Sequence, residues 1–223
     1  MNIFYCNVTS VNRNIDLIEA HILNKDFHVV ALSKCWISDS AHIPQLPGFD
    51  LKFVPSSSGI SGGVIMYYRK GLKVDKLHIN NLPAMSHMEI LSIYIKSEDV
   101  ILSTIYRHPN STMSQFLSSL EDIISQNSFQ NTSKNKIFLG DFNINTLVQN
   151  KNSVEYLSLL NSFDYSFCIN EPTRTTASCS SCIDHVFSNI DTHNYLEANV
   201  CDFQASDHNS IVIQFKNTNI HAV

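Results

Sequence analysis

The stretch KIFLGDFNIN, residues 136–145, decides how the chain is read. A short apolar run from Ile137 to Leu139 meets Gly140, and then Asp141, Phe142 and Asn143 follow. Such a run, closed by glycine, predicts a buried strand that stops abruptly. Alternation along it puts Asp141 and Asn143 on one side and Phe142 on the other. Buried strands of α/β proteins end where ligands bind. A carboxylate that can hold a metal or take a proton therefore arrives beside an amide that can donate to an anionic oxygen. Gly-Asp and Asn also make ordinary turns, so the stretch has to be weighed with its surroundings.

Outward from it, strand signals dominate. IFYCNV, FHVVALS, GGVIMYYR, EILSIYIK, DVILSTIYR, CIDHVFSN and SIVIQF are short apolar or alternating runs rich in Val, Ile, Phe and Tyr. Three helical patterns separate some of them. In RNIDLIEAHIL, Ile15, Ile18 and Ile22 recur at helical spacing. In TMSQFLSSLEDII, Thr112 and Gln115 are placed like a capping box ahead of Phe116, Leu120 and Ile123. In SVEYLSLLNSF, Val154, Leu157 and Leu160 share a face. Strict βα alternation fails in the middle, where strands follow one another. The pattern predicts an α/β protein of two mixed β-sheets packed face to face, with helices on the outer faces. Composition marks no boundary, so residues 1–223 are expected to form one domain. NNLPAMSH, SQNSFQNTSKN and LVQNKNS are expected surface loops.

Charge narrows the function classes. Fifteen Lys and Arg face twenty Asp and Glu, a formal charge of −5. That disfavours a passive nucleic-acid coat and leaves room for an enzyme that gathers carboxylates around a cation. The opening MNIFYCNVTS has neither a basic lead nor a long apolar core, so no signal peptide is expected, and no apolar run approaches a membrane span. Six scattered cysteines read as buried free thiols in a reducing compartment, which predicts an intracellular protein, nuclear or cytoplasmic. CSSC with His185 beyond it lacks the second ligand pair of a zinc site.

Other chemistry-bearing residues also sit at strand ends. Asp207 and His208 precede the SIVIQF strand, and adjacent acid and imidazole suit metal binding, phosphate contact or acid–base work. Asp184 lies between Ile183 and His185, where a carboxylate is costly to bury without a partner. His208 is the expected partner, with Asp184 fixing its tautomer and stabilising its charge. Asn7 ends the first strand, and Tyr106 ends another. Arg107, Asn110 and Arg174 are candidate substrate contacts, since arginine in a loop suits gripping a phosphodiester. Singly, each has a plainer reading: Tyr106 as a core aromatic, the arginines as solvated surface.

Together, and in order, Asn7, ALSKCWIS, SGGVIMYYR, IYRHPN, GDFNIN, PTR, CIDHVFSN and SDH resemble the endonuclease/exonuclease/phosphatase superfamily, most nearly the apurinic-like endonuclease domain of non-LTR (LINE-type) retrotransposons. The resemblance spans about Asn2 to Phe215. It implies a four-layer α/β/β/α sandwich and phosphodiester hydrolysis on DNA with Mg²⁺ or Mn²⁺. It further implies that Asp141 activates or orients the attacking water beside Asn143. His208, oriented by Asp184, would contact the scissile phosphate, and Tyr106 would hydrogen-bond it. Asn7, Asp207 and Asp141 would help hold the metal. Such domains are usually joined to a reverse transcriptase in a longer protein, which makes that domain an expected partner.

One position departs from this pattern. Family members read Glu-Thr-Trp where this chain reads Lys34-Cys35-Trp36, and that glutamate is their principal metal ligand. A unit charge about 4 Å from another interacts by about 4 kcal/mol at an effective dielectric of about 20, here with the wrong sign for a cation. Weakened metal binding and weakened hydrolysis are the expectation. A register shift does not restore the ligand, because Glu19 falls on a predicted helix and Asp39 beyond Trp36. A catalytically silent nucleic-acid or protein binding module on the same fold is the rival reading.

Overall fold

The computed structural model describes residues 1–38, 43–57, 61–79, 87–126, 129, 134–191 and 195–216. In chain order the elements are β1 (Asn2–Asn7), α1 (Val11–Ile22), β2 (Val29–Ser33), β3 (Phe49–Val54), β4 (Val64–Arg69), β5 (Val74–Lys76), β6 (Met88–Ile95) and β7 (Val100–Arg107). There follow α2 (Met113–Ile124), β8 (Asn135–Asp141), α3 (Lys151–Ser162), β9 (Ser166–Phe167), β10 (Arg174–Thr175), β11 (Ser180–Ser181), β12 (Asp184–Ser188), β13 (Leu196–Cys201) and β14 (Ser210–Phe215).

Two six-stranded sheets result, ordered β13-β14-β1-β2-β4-β3 and β5-β6-β7-β8-β12-β9, with β10-β11 as a separate hairpin. Each sheet holds one parallel pair among antiparallel neighbours: β1 with β2, and β7 with β8. The expectation of two mixed sheets therefore holds. Period-two alternation explains the layering. Ile3, Tyr5, Val29 and Ala31 turn inward to meet Leu91, Leu102, Ile137, Leu139 and Val186 of the other sheet. Phe4, Val30 and Leu32 turn outward, onto Val11, Ile18 and Ile22 of α1. On the far side Phe138 and Phe187 pack with Phe116 and Leu120 of α2 and Tyr156 and Leu160 of α3. Helix, sheet, sheet, helix is the observed order of layers. Each fully buried Leu, Ile, Val or Phe contributes about 1.5–3 kcal/mol, and the alternation lets every strand serve two cores.

Local details both follow and depart from the sequence reading. Thr112 caps α2, its hydroxyl accepting from Gln115 N at 3.4 Å. The reciprocal bond of a capping box is replaced by the Thr112 hydroxyl donating to Gln115 Oε1 at 2.7 Å. A complete box sits instead on α3, between Asn150 and Ser153. The buried face of α3 is Ser153, Tyr156 and Leu160, so Val154 is a correction: it is 44% exposed. The larger Tyr156 ring takes the inward position because it reaches the aromatic cluster around Phe142. β3 and β13 are edge strands of mixed polarity, which is why neither stands out as an apolar run. Asp39, most of NNLPAMSH and part of SQNSFQNTSKN lie outside the described residues.

Candidate active site

Gly140 sets the position of everything that follows. It pairs with Ile105 across the parallel β7–β8 ladder. Its φ is +154°, and a Cβ there would lie 1.8 Å from the Ile105 carbonyl oxygen. Only glycine permits this approach. The chain then delivers Asp141 beside Tyr106 on β7 and opposite Asp184 on β12. Phe142 turns the other way, onto Phe116, Tyr156 and His185. That ring anchors the strand end from behind while the carboxylate faces the mouth.

Asp184 is fully buried, and its side chain has two partners. Its Oδ2 accepts from His208 Nδ1 at 2.6 Å, and its Oδ1 accepts from the Tyr5 hydroxyl at 2.9 Å. Tyr5 in turn lies 2.7 Å from the Ser33 hydroxyl at the end of β2. The Thr173 hydroxyl, also fully buried, accepts from the backbone N–H groups of Ile183 and Asp184 at 3.1 and 2.9 Å. Asn7 Nδ2 donates to Asp141 Oδ2 at 2.8 Å and lies 3.4 Å from His208 Nε2. Asn143 N donates to Asp141 Oδ1 at 3.0 Å. Ser206 ties His208 to β1, its hydroxyl donating to Asn7 O at 2.7 Å. Residues from β1, β8, β12 and the approach to β14 thus converge on one point. Asp141, Asp184 and His208 offer ligand atoms within 4.8 Å of one another.

The electrostatics follow from this crowding. Burial, then the nearby Asp184 charge, pushes the Asp141 carboxyl up to about 7, against the opposing pull of His208, the Asn143 N–H and Lys34. Burial alone would pull His208 down, but Asp184, with Asp141 and Asp207 beyond it, outweighs this and holds the imidazole above its ordinary value. The cluster brings two buried carboxyl groups and one imidazole to a single point. An oxygen-rich donor set of this kind suits a hard divalent cation, which accepts few protein ligands and keeps its own waters.

The other expected residues are placed less uniformly. Asp207 stands at the rim, 3.8 Å from His208 Nε2 and bound to Arg174 at 2.6 Å, so it is not brought into the inner cluster. Burial raises the Asp207 carboxyl, but Arg174 and His208 together outweigh it and hold the group below its ordinary value. Arg174 faces solvent only in part, with its guanidinium already paired. Arg107 is corrected outright: it is 5% exposed, donates to the carbonyls of Phe142, Asn143 and Ser111, and lies over the Phe116 ring. Its guanidinium braces the loops around the site. Asn143 spends its side-chain amide on the Arg107 carbonyl at 2.7 Å. Its φ of +50° marks a turn, not the continued strand that alternation assumed. Tyr106 lines a cleft of about 450 Å³ beside the cluster, together with Lys34, His108 and Asn110.

Lys34 follows β2 directly, with a positive φ of +55°. Its carbonyl accepts from Ser10 N at 3.1 Å, and Cys35 N donates to Gly63 O at 3.0 Å, so the backbone is pinned on both sides. Its charge reaches Asp141. Sequence reasoning missed Tyr5, Ser33, Thr173 and Ser206. Tyr5 carried a usable signal, since it lies two residues before Asn7 on the same face of β1. CSSC makes no metal site: Cys179 is exposed, Cys182 is buried, and His185 donates Nε2–H to Cys182 O within the aromatic core. Among the described residues, Asp141, Asp184 and His208 are the one group spaced to hold a metal.

A family model described as Endonuclease/Exonuclease/phosphatase family matches residues 1–208. No curated protein sequence matches the chain. Among solved structures, the endonuclease domain of TRAS1, a telomere-specific non-LTR retrotransposon, is similar at 14% identity, with a TM-score of 0.77 over 97% of this chain and 98% of that one. A 3'-5' exonuclease from Neisseria meningitidis gives 14% identity and a TM-score of 0.79, covering 97% and 100%. An endonuclease/exonuclease/phosphatase family protein from Leptotrichia buccalis gives 17% and 0.66, covering 97% and 99%. At such identities these likenesses establish the fold and nothing finer.

Proposed function

The chain belongs to the endonuclease/exonuclease/phosphatase family, and from that premise we propose that it is a divalent-metal-dependent phosphodiesterase that nicks DNA. The observation that carries this reading is the buried meeting of Asp141, Asp184 and His208 with Asn7 at one mouth. Asp141 takes the proton of the attacking water. Without a cation, burial holds its carboxyl up at about 7, and a divalent cation held beside it would lower it again into the base form. Asn7 and the Asn143 N–H hold its two oxygens in place. His208 keeps Nδ1–H on Asp184 and turns Nε2 toward the phosphate, where a held imidazolium stabilises charge that grows during attack. Tyr106, which lines the cleft, is the proposed hydrogen-bond donor to the phosphate. Bound Mg²⁺ or Mn²⁺ at Asp141 and Asn7, with Asp207 at the rim, would neutralise phosphate charge.

Lys34 favours the second reading, a silent binding module, because it places an ammonium where a metal-binding carboxylate is expected. We infer impaired hydrolysis, since the rest of the constellation is assembled and hydrogen-bonded. The likeness to a retrotransposon endonuclease supports DNA as substrate, and it is the resemblance of the sequence motifs that implies a reverse transcriptase domain as partner in a longer parent protein. Six unpaired cysteines support an intracellular setting. No helix among the described residues is long and apolar enough to cross a membrane. The test is nicking of supercoiled plasmid with Mg²⁺ or Mn²⁺ by the natural chain and by His208→Ala. Metal-dependent nicking lost in the variant supports hydrolysis. No nicking by the natural chain at any metal concentration favours the silent module.

A further inference from the structure

One row of the second sheet carries more chemistry than the proposed hydrolysis uses. Glu89 on β6 pairs with Tyr106 on β7, Tyr106 with Asp141 on β8, and Asp141 with Asp184 on β12. Residues paired across neighbouring strands share a face, so the four side chains turn the same way, toward the first sheet. Each end of the row holds an acid bound to an imidazole. Asp184 holds His208 at one end, and at the other Glu89 Oε1 lies 2.8 Å from His108 Nε2. Only the first pair enters the proposed hydrolysis. The second is buried as well. Glu89 Oε1 also accepts from the N–H and hydroxyl of Ser57, at 2.9 and 2.8 Å, so the β3–β4 connection of the first sheet closes over it. Gly62 in that connection comes so near that a Cβ there would meet both carboxylate oxygens at 3.0 Å. Among the described residues, Glu89 Oε2 has no hydrogen-bond partner. A buried acid with an orphan oxygen is a poor device for stability, because desolvating the charge offsets most of the attraction it gains.

What this second pair touches is Tyr106. The His108 and Tyr106 rings meet edge-on, with centroids 5.0 Å apart and planes at 72°. Among the described residues no other aromatic ring contacts Tyr106. Burial, then the charges of Asp141 and Glu89, hold the Tyr106 hydroxyl above its ordinary value, so it stays a donor. No hydrogen bond among the described residues fixes that hydroxyl, which leaves its aim to whatever packs on the ring. His108 is suited to the task because it cannot swing away: Glu89 takes its Nε2, and its backbone N–H donates to His87 O at 2.9 Å. We propose that Glu89 and His108 are positioning residues for Tyr106, the carboxylate fixing the plane of the imidazole and the imidazole edge holding the tyrosine ring with its hydroxyl facing the mouth. The proposal rests on the reading that gives Tyr106 the phosphate, and deepens it. The two acid–imidazole pairs then divide the work: Asp184 aims an imidazole, and Glu89 aims a tyrosine through one.

The test compares two double variants that each remove the buried acid together with its partner, so that neither strands an unpaired charge. Glu89→Leu/His108→Phe keeps a ring beside Tyr106, and Glu89→Leu/His108→Leu does not. The lost Ser57 contacts are common to both and cancel in the comparison. Two quantities are measured: plasmid nicking, and the flip rate of the Tyr106 ring by carbon-13 relaxation dispersion on ring-labelled tyrosine, with Tyr106→Phe assigning the signal. The ringless double should lose kcat by roughly ten- to a hundredfold with KM little changed, the scale of a misplaced group, and its Tyr106 ring should flip faster. The ring-retaining double should recover most of the rate and the natural flip rate. Adding Tyr106→Phe to the ringless double should cost little more, because both changes act through one hydroxyl. Equal flip rates in all three proteins overturn the proposal. So does nicking that is slowed by Tyr106→Phe but not by the ringless double, or slowed equally in both doubles. Unfolding of both doubles assigns the pair to stability and overturns it too. For a natural chain that never nicks, the flip rates alone decide. Nicking by Tyr106→Phe at the natural rate sinks the phosphate role of Tyr106, while faster flipping in the ringless double still upholds the grip of His108 on that ring.

Discussion

His208 Nδ1 stands 2.6 Å from Asp184 Oδ2, inside a site where neither side chain is more than a few per cent exposed. A charge-assisted bond this short fixes which nitrogen carries the proton and which faces the mouth. Asp184 is itself fixed by Tyr5 and by the N–H groups that Thr173 gathers. The imidazole is therefore held in place before any substrate arrives.

Asp184→Asn should separate orientation from charge. Burial lowers the His208 pKa and Asp184 is the first group opposing it, so removing the carboxylate should drop the imidazole below its ordinary value of 6.5. In the natural chain the raised pKa stabilises the fold fully below the unfolded value, and that stability is lost as pH rises through the folded one. The variant should lose this dependence. Nicking should fall about 10²–10⁴-fold, the usual range for a misplaced acid–base group. A His208 titration by NMR that stays unmoved would contradict the assignment.

Asp141→Asn should do the opposite to stability. A carboxyl raised from 3.8 to about 7 binds a proton more readily folded than unfolded, so the fold loses stability as pH climbs through that interval and regains none above it. At about 1.4 kcal/mol per pH unit the upper bound is about 4 kcal/mol. Chemical denaturation should show the variant matching the natural chain near pH 4 and exceeding it above pH 7, with nicking abolished. Added Mn²⁺ should narrow the gap by stabilising the natural chain alone. A stability difference that does not change with pH would refute the buried-charge account.

How much of this could be read from residues alone depends on where each residue's partner lies. Asp141 and Asp184 were legible because a carboxylate beside an apolar strand is conspicuous, and His208 because it follows an acid at a strand start. The layering was legible because β1, β2 and β8 alternate apolar residues across two cores. Arg107 was misread, since nothing local says that its guanidinium turns inward to three carbonyls. Thr173, Ser33 and Ser206 were silent for a related reason. A hydroxyl acquires a role only from the tertiary partner it meets, and Thr173 meets backbone ten and eleven residues away. Edge strands β3 and β13 were hidden by mixed polarity.

Gly140→Ala tests the placement of the site through the backbone. The new methyl would sit 1.8 Å from the Ile105 carbonyl, so β7 and β8 would have to part at the register that aligns Tyr106 with Asp141. A central ladder in a close-packed interior does not yield that distance cheaply. We expect destabilisation of about 3 kcal/mol or more, read as a loss of folded protein in denaturant titration. Ordinary stability would mean that the strands do not approach as closely as this.

Lys34→Glu asks whether the position limits metal binding. The substitution removes an ammonium whose charge reaches Asp141 and adds a carboxylate at the same mouth. At about 4 Å and an effective dielectric of about 20, each unit of charge is worth about 4 kcal/mol before solvent screening, and Lys34 is only half-buried. Even a third of one such unit, about 1.4 kcal/mol, gives about tenfold in affinity. Calorimetric titration with Mn²⁺ should show at least that gain, accompanied by faster nicking. DNA binding in EDTA should weaken at the same time if the ammonium at this mouth grips a strand phosphate, because a repulsive carboxylate replaces it. Those two effects of opposite sign distinguish a residue exchanged for grip from one that has merely decayed. Tighter Mn²⁺ binding with unchanged DNA affinity would leave Lys34 as a defect only, and no change in either would show that the side chain does not face the mouth.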